Sequence, residues 1–256
     1  MTKAIGVIPA RYGSTRFPGK PLALLAGRPM LEWVYERAQR ASRLSQVIVA
    51  TDDARVLECV QRFGGRAVMT REDHATGSDR VAEVARALDA DIIVNIQGDE
   101  PLIDPAAVDL GVALLSEHPE EQVGTLVRPL NEATELTDPN VVKVVLSNDG
   151  HALYFSRSPI PHVRGSADPA CWPKQYSHYY KHVGLYVFRR SFLLQFVSWP
   201  PGRLEQAESL EQLRILERGL KMAVALTSYE ARSVDTPEDL QRLTRFLEES
   251  NRGRQG

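Results

Sequence analysis

Along the first 116 residues the hydrophobic pattern switches repeatedly between two periods. Residues 4–8 (AIGVI) are a continuous apolar run closed by Pro9, as expected of a buried strand. Leu31, Val34, Tyr35 and Ala38 recur at i, i+3, i+4 and i+7, which predicts a helix. Residues 47–50 (VIVA) predict the next strand, running into Thr51, Asp52 and Asp53. Val56, Leu57, Val60 and Phe63 predict a second helix, stopped by Gly64-Gly65. A short strand is expected at 66–69, then a helix through Val81, Val84, Ala85 and Leu88. Residues 91–96 (DIIVNI) predict a fourth strand, and Val108, Val112 and Leu115 another helix. Solidly apolar strands alternating with amphipathic helices predict an α/β fold, a mostly parallel sheet with helices on both faces. Right-handed crossovers place the strand C-termini on one edge, where open α/β sheets bind ligands. The loops at 9–21, 51–53 and 97–104 all leave that edge.

The second half changes character. Residues 141–146 (VVKVVL) and 151–156 (HALYFS) flank Ser147-Asn148-Asp149-Gly150, and Asp-Gly between two strand-like runs predicts a hairpin. Residues 157–180 are rich in Pro, His, Ser and aromatics and predict a long excursion. A strand is expected at 183–188 (VGLYVF), a helix at about 206–219, a strand at 222–227 and a last helix from Thr236-Pro237. Thr236 as N-cap, Pro237 in the first turn and Asp239 three residues on fit that helix start. The polar tail from Glu248 predicts a frayed end. The simplest organisation is one domain over residues 1–256 with an antiparallel insertion at about 141–200.

Composition narrows the class. Of 256 residues, 31 are Lys or Arg and 33 are Asp or Glu, a net charge of −2 that argues against nucleic acid as a partner. Two cysteines, Cys59 and Cys171, lie far apart with no metal-ligand spacing around them, as expected of ordinary thiols in a reducing cytoplasm. Residues 1–11 lack the apolar core of a secretory leader, and no run approaches the ~20 apolar residues of a membrane span.

Three segments carry candidate chemistry. The loop after the first strand holds Arg11, Arg16 and Lys20, two glycines and no carboxylate. Small residues let backbone N–H groups approach a polyanion while the cations neutralise it, so phosphate is the expected ligand. The spacing is neither that of a P-loop nor GxGxxG. Gln97-Gly98-Asp99-Glu100-Pro101 follows a buried strand directly. A carboxylate there can hold Mg²⁺, which takes one or two carboxylates plus substrate phosphates, or can simply cap a turn. Asp235 stands just before the last helix, where it can bind a ligand or merely answer the helix dipole.

Taken together the motifs are similar to those of the 3-deoxy-manno-octulosonate (Kdo) cytidylyltransferases, also called CMP-Kdo synthetases. The matching stretches are IPARYGSTRFPGKPL (8–22), VIVATDD (47–53), MTREDHATGSDRVAEV (69–84), IVNIQGDEPLI (93–103), VVKVVLSNDGHALYFSRSPIP (141–161), KHVGLYVF (181–188), LEQAESLEQLRIL (204–216) and VDTPEDL (234–240). The first is shared among sugar nucleotidyltransferases; the combination is much narrower. The resemblance implies a nucleotide-diphospho-sugar transferase-like fold and a cytoplasmic homodimer whose antiparallel insertion contributes to the contact. It implies that CTP and Kdo give CMP-Kdo and pyrophosphate, with Mg²⁺, for lipopolysaccharide biosynthesis.

It also implies roles. Arg11 and Lys20 would neutralise the triphosphate with Arg16 in support, and Asp99 and Asp235 would ligate Mg²⁺. Ala10, Arg71, Gly77, Ser78, Arg80 and Gln97 would join them around the nucleotide, although Arg80 has a rival use in an i+3 ion pair with Glu83. Arg157, His182, Tyr186, Glu211 and Gln212 would take the acidic sugar. Each of these five also has a plain use, the strand residues in packing and the helix residues in solvent. A related acidic sugar such as a sialic acid or an 8-amino analogue, or a nucleotide-sugar sensor on the same fold, remains an alternative. A glycosyltransferase would be expected to show a DxD motif, which neither Asp52-Asp53 nor Asp99-Glu100 supplies.

Overall fold

The computed structural model describes residues 2–13, 17–130, 132–165, 168, 171–172 and 178–252. Seven strands form the main path of one sheet: β1 (Ala4–Pro9), β4 (Leu44–Thr51), β5 (Ala67–Met69), β6 (Ile92–Asn95), β7 (Val123–Pro129), β10 (Tyr180–Arg189) and β11 (Ala223–Leu226). Their spatial order is β11-β7-β10-β6-β1-β4-β5. Only β10 runs against its neighbours: it is antiparallel to both β6 and β7, while β1, β4, β5 and β6 pair in parallel. Two further strands, β8 (Lys143–Leu146) and β9 (Ala152–Ser156), form the hairpin expected around Asp149-Gly150, and β8 pairs with the first residues of β10. β2 (Leu24–Leu25) and β3 (Arg28–Pro29) make a small separate hairpin.

Alternation along each strand feeds two cores. Ile8, Val47, Val49, Val94 and Ile96 meet Leu31, Val34 and Ala38 of α1 (Met30–Gln39), Val56 and Val60 of α2 (Ala54–Arg62), and Val108 and Val112 of α4 (Pro105–Ser116). The opposite face presents Ile5, Val7, Ile48, Ala50 and Ile93 to Val81, Ala82 and Ala85 of α3 (Gly77–Arg86) and to Phe192 and Phe196 of α6 (Arg190–Phe196). The helix starts are chemically marked: Asp53 caps α2, Asp104 caps α4 ahead of Pro105, and Thr76 with Asp79 forms a capping box on α3. The last helix, α9 (Pro237–Arg252), is closed by the reciprocal bonds of Thr236 and Asp239 expected from their spacing. Val234 and Leu243 anchor it against Leu25 and Met30.

Two expectations need correction. Residues 206–219 are not one helix but α7 (Arg203–Glu208) and α8 (Leu213–Leu216), parted where Ser209 takes a left-handed backbone (φ 53°). A buried pair between Glu205 and Arg214 ties the two pieces across the break, and the turn delivers Glu211 and Gln212 to the sheet edge. α9 also continues through Glu248 to Arg252, since Leu240 and Leu247 keep packing on the β2–β3 side. Five elements fall outside the sequence expectations: β2, β3, β7, α5 (Ala133–Thr137) and α6. No helix among the described residues is long and apolar enough to cross a membrane.

Candidate active site

The loops after β1 and β6 meet at the expected edge. A Cβ on Gly98 would stand 2.9 Å from the Pro9 carbonyl oxygen, so the two backbones touch and only glycine fits without displacement. This contact fixes Asp99 beside the phosphate-seeking loop. The Val234 N–H donates to the Asp99 carbonyl at 2.9 Å and brings Asp235 alongside. Lys20 then reaches both carboxylates, Asp99 Oδ2 at 2.8 Å and Asp235 Oδ1 at 3.3 Å.

Two adjoining clefts open here. One, of about 290 Å³, is lined by Pro9, Ala10, Arg11, Lys20, His74, Gly77, Arg80, Gln97, Asp99 and Asp235. The other, of about 1000 Å³, contains Ser78, Asn95, Arg157, His182, Tyr186, Glu211 and Gln212. Gly77, Gln97, Asp99 and Asp235 belong to both walls and mark their seam. Fourteen of the expected residues therefore converge on one edge with Asp99 and Asp235 at its centre. Arg71 does not join them: it is exposed and its guanidinium pairs with Asp73 on its own loop. Arg16 lies outside the described residues.

Arg80 resolves in favour of neither simple alternative. It is buried, and its guanidinium is held by Asp52 Oδ2 at 2.6 Å, by Thr70 and by the Arg71 carbonyl. Glu83 instead pairs with His74 and accepts from the Arg71 N–H, so it too braces the 71–76 loop. Arg80 thus lines the smaller cleft while joining the ends of β4 and β5 to α3.

Burial shifts several titratable groups of the larger cleft toward their neutral forms. Burial pushes His182 down to about 3, so its imidazole is uncharged at neutral pH. Thr125 Oγ1 lies 2.8 Å from the Leu185 carbonyl and 2.8 Å from His182 Nε2. The hydroxyl proton goes to the carbonyl, so Nε2–H donates to Thr125 and Nδ1 is left as an acceptor. The His182 and Tyr186 rings stand 5.3 Å apart, although four residues of regular strand span about 13 Å. The register slip between Val183 and Tyr186 closes that gap. Tyr186 Oη donates to Gln212 Oε1 at 3.0 Å, and burial raises its pKa further above the ordinary range. Ser78 Oγ donates to Glu211 Oε2 at 2.7 Å, and burial raises the Glu211 carboxyl as well. Glu211 Oε1, Gln212 Nε2 and Asn95 Oδ1 are buried without hydrogen-bond partners, a concentration of unspent polarity unusual outside ligand sites.

Some lining groups are not apparent from the motifs. Asn95 interrupts an apolar strand at its C-terminal end, a signal available in DIIVNI. Glu100 carried no separate signal: it is buried against Tyr229 and Ser233, and desolvation pushes its carboxyl up to about 7. Among the described residues no group of three His, Cys, Asp or Glu side chains is arranged to hold a metal alone. Two carboxylates that share one cation suit Mg²⁺ with substrate phosphates completing its shell, rather than an all-protein cage.

The comparisons with known proteins agree with this geometry. Residues 5–222 match the family model described as cytidylyltransferase. A protein of Solibacter usitatus named 3-deoxy-manno-octulosonate cytidylyltransferase is 54% identical, over 97% of this chain and 96% of its own length. A Geobacter sulfurreducens protein of the same name is 51% identical over 94% and 98%. A solved structure of CMP:2-keto-3-deoxy-manno-octonic acid synthetase complexed with CTP superposes with a TM-score of 0.90 at 43% identity, covering 97% of this chain and all of that one. The 4-diphosphocytidyl-2C-methyl-D-erythritol synthase of Anaerococcus prevotii shares the fold alone, with a TM-score of 0.60 at 14% identity over 96% of this chain and 99% of that one. With most of its length matched at this level, the chain belongs to the 3-deoxy-manno-octulosonate cytidylyltransferase family of nucleotidyltransferases.

Proposed function

We propose that the protein is a Mg²⁺-dependent cytidylyltransferase that converts CTP and Kdo to CMP-Kdo and pyrophosphate, acting in the cytoplasm for lipopolysaccharide biosynthesis. The observation that carries this reading is the seam: Asp99 and Asp235 belong to both clefts and share the Lys20 ammonium. The smaller cleft takes the nucleotide and the larger one the sugar, so the α-phosphorus falls at the seam.

The anomeric hydroxyl of Kdo attacks the α-phosphorus while pyrophosphate leaves in line. Such a transfer needs positioning and charge neutralisation more than covalent help from the protein. Arg11 and Lys20 balance the triphosphate, Lys20 exchanging a carboxylate oxygen for a phosphate oxygen. Asp99 and Asp235 would hold Mg²⁺, which would supply further neutralisation and make the attacking hydroxyl more acidic. Ala10, Gly77 and Gln97 shape the nucleotide wall, and Arg80 secures the 71–76 loop above it. In the sugar cleft, Ser78, Glu211, Gln212, His182 and Tyr186 offer paired donors and acceptors to hydroxyl groups. Arg157 spends three of its five N–H groups on the carbonyls of Pro139, Glu208 and Ser209, which leaves two for a carboxylate. A homodimer using the region of about 141–200 fits the exposed Leu153 on the hairpin, 58% accessible. Sedimentation equilibrium would test it.

The decisive assay is pyrophosphate release from each of the four NTPs with Mg²⁺, with Kdo, with N-acetylneuraminate and without sugar. Release only with CTP and Kdo is expected. Release with CTP and N-acetylneuraminate would move the substrate, and no release from folded protein would favour a sensor.

A further inference from the structure

Lys143 opens β8 with no accessible surface at all. Its ammonium makes no ion pair among the described residues. Instead its three N–H groups donate to three backbone carbonyls, those of Asp138 at 2.8 Å, Val141 at 2.6 Å and Arg157 at 2.5 Å. An ammonium carries three donors, so donor and acceptor numbers match. The charged groups acting on it are Asp138 on the preceding loop, Arg157 at the end of β9 and Glu208 at the end of α7, while Lys181 lies opposite in register on β10. Burial outweighs the two carboxylates and pushes Lys143 down to about 8.

The three carbonyls come from two segments, the 138–142 loop and the residue that follows β9. Asp138, Val141 and Arg157 all line the larger cleft. Arg157 extends the linkage: Nη1 donates to the Pro139 carbonyl at 3.0 Å and Nε to the Glu208 carbonyl at 2.8 Å. The Glu208 carboxylate in turn accepts from the Arg157 N–H at 2.9 Å and from Ser156 Oγ at 2.6 Å. Glu208 leads through Ser209 into Glu211 and Gln212. Two cations thus tie together the 138–142 loop, the end of β9 and the turn that carries the Glu211–Gln212 pair.

We infer that Lys143 is a positioning residue for the acceptor: through its three carbonyls and Arg157, its ammonium sets how the 138–142 loop and the 209–212 turn face one another. This rests on the larger cleft being the sugar site. The geometry asks for lysine specifically. Three carbonyls converge on one nitrogen, which suits a compact ammonium and not the planar fork of arginine. Methionine keeps the length and apolar stem but leaves three buried carbonyls unpaired.

The test compares wild type, Lys143→Met and Lys143→Arg in pyrophosphate release with Kdo and CTP varied separately. Lys143→Met should raise the KM for Kdo about tenfold or more, with the KM for CTP held within about twofold and a smaller fall in kcat. Arginine should rescue little. Above pH 8 the wild-type amine keeps only two N–H groups, so its KM for Kdo should climb there, whereas Lys143→Met should show no such step. Amide hydrogen exchange, which needs no substrate, should quicken in both 138–142 and 209–212 in Lys143→Met while β1 and β4 keep their protection. Equal rises in both KM values, full rescue by arginine, or uniformly faster exchange would overturn the inference. Should Lys143→Met not fold, a Lys143→Arg variant with the wild-type KM for Kdo would overturn it alone. A wild type inactive with every sugar would overturn the substrate reading, and exchange would still decide the role of Lys143.

Discussion

The two clefts are made of different material. In the smaller cleft, proposed for the nucleotide, the working groups are charged and partly accessible: the Lys20, Asp99 and Asp235 side chains retain 16%, 29% and 40% accessibility. They sit on loops, and what holds them is backbone, through the Gly98–Pro9 contact and the Val234–Asp99 hydrogen bond. In the larger cleft, proposed for the sugar, Ser78, Glu211, Tyr186 and Gln212 are hydrogen-bonded to one another in pairs, and Ser78 and Gln212 are almost wholly buried. A triphosphate brings its own charge and needs counter-charge, which solvent-exposed loops supply cheaply. A polyhydroxylated acid brings directional hydrogen bonds, and discriminating those requires donors and acceptors fixed before the ligand arrives.

The contrast can be broken most violently at the seam. Asp99→Asn or Asp235→Asn should lower Mg²⁺-dependent turnover on the order of 10³-fold. Thermal stability should barely change, since exposed ion pairs contribute about 0–1 kcal/mol. Wild-type turnover at limiting Mg²⁺ in either variant would remove it from the metal site. Arg80→Ala exposes the opposite case: it leaves the partly buried Asp52 carboxylate without its guanidinium, so unfolding free energy should fall by about 3 kcal/mol. Calorimetry would read this as a Tm lowered by about 10 °C, together with a raised KM for CTP as the 71–76 loop loosens. A stable Arg80→Ala with unchanged KM would deny it the bracing role.

On the sugar side, Tyr186→Phe deletes one hydrogen bond to Gln212 without creating charge. The expected cost is about 1 kcal/mol, a roughly fivefold rise in the KM for Kdo that leaves the KM for CTP alone. The last effect, absent at neutral pH, is acid lability from His182. Its folded pKa of about 3 lies below the ordinary value near 6.5. The unfolded chain therefore takes up this proton first, and stability that is complete above pH 6.5 declines as pH falls toward 3. His182→Gln should flatten that slope in pH-dependent denaturation; an unchanged slope would mean that His182 titrates normally.

The parallel half of the fold was legible because it repeats one rule. Apolar runs at 4–8, 47–50 and 91–96 leave no other reading than buried strands, and the site edge follows from their direction. The hairpin at Asp149-Gly150 and the start of α9 were equally plain, since each rests on local chemistry. The break at Ser209 was not, because Leu210, Leu213 and Leu216 keep helical spacing across it, and what decides the turn is a tertiary demand on Glu211 and Gln212. β7 was missed because QVGTLVRP alternates weakly and draws its neighbours, β10 and β11, from later in the chain. Within the site, residue types and motif order led to the right edge. They did not show that Arg71 turns to Asp73, or that Arg80 is consumed by Asp52. Nor did they show that Lys143, buried behind the cleft wall, gives its three N–H groups to backbone carbonyls. Side-chain partnership between distant segments leaves no periodicity to read.

The reversed direction of β10 has an evolutionary corollary. Every parallel strand presents its C-terminal end at the ligand edge, but β10 presents its N-terminal end there, with His182 near its start. Whatever chain precedes β10 must therefore arrive at the sugar cleft, whereas the chain that follows leaves by the far side. The segment between β9 and β10 can accordingly lengthen, shorten or be exchanged among relatives and alter the acceptor side directly. The smaller cleft is lined from the loops after other strands, so such changes would reach it only indirectly.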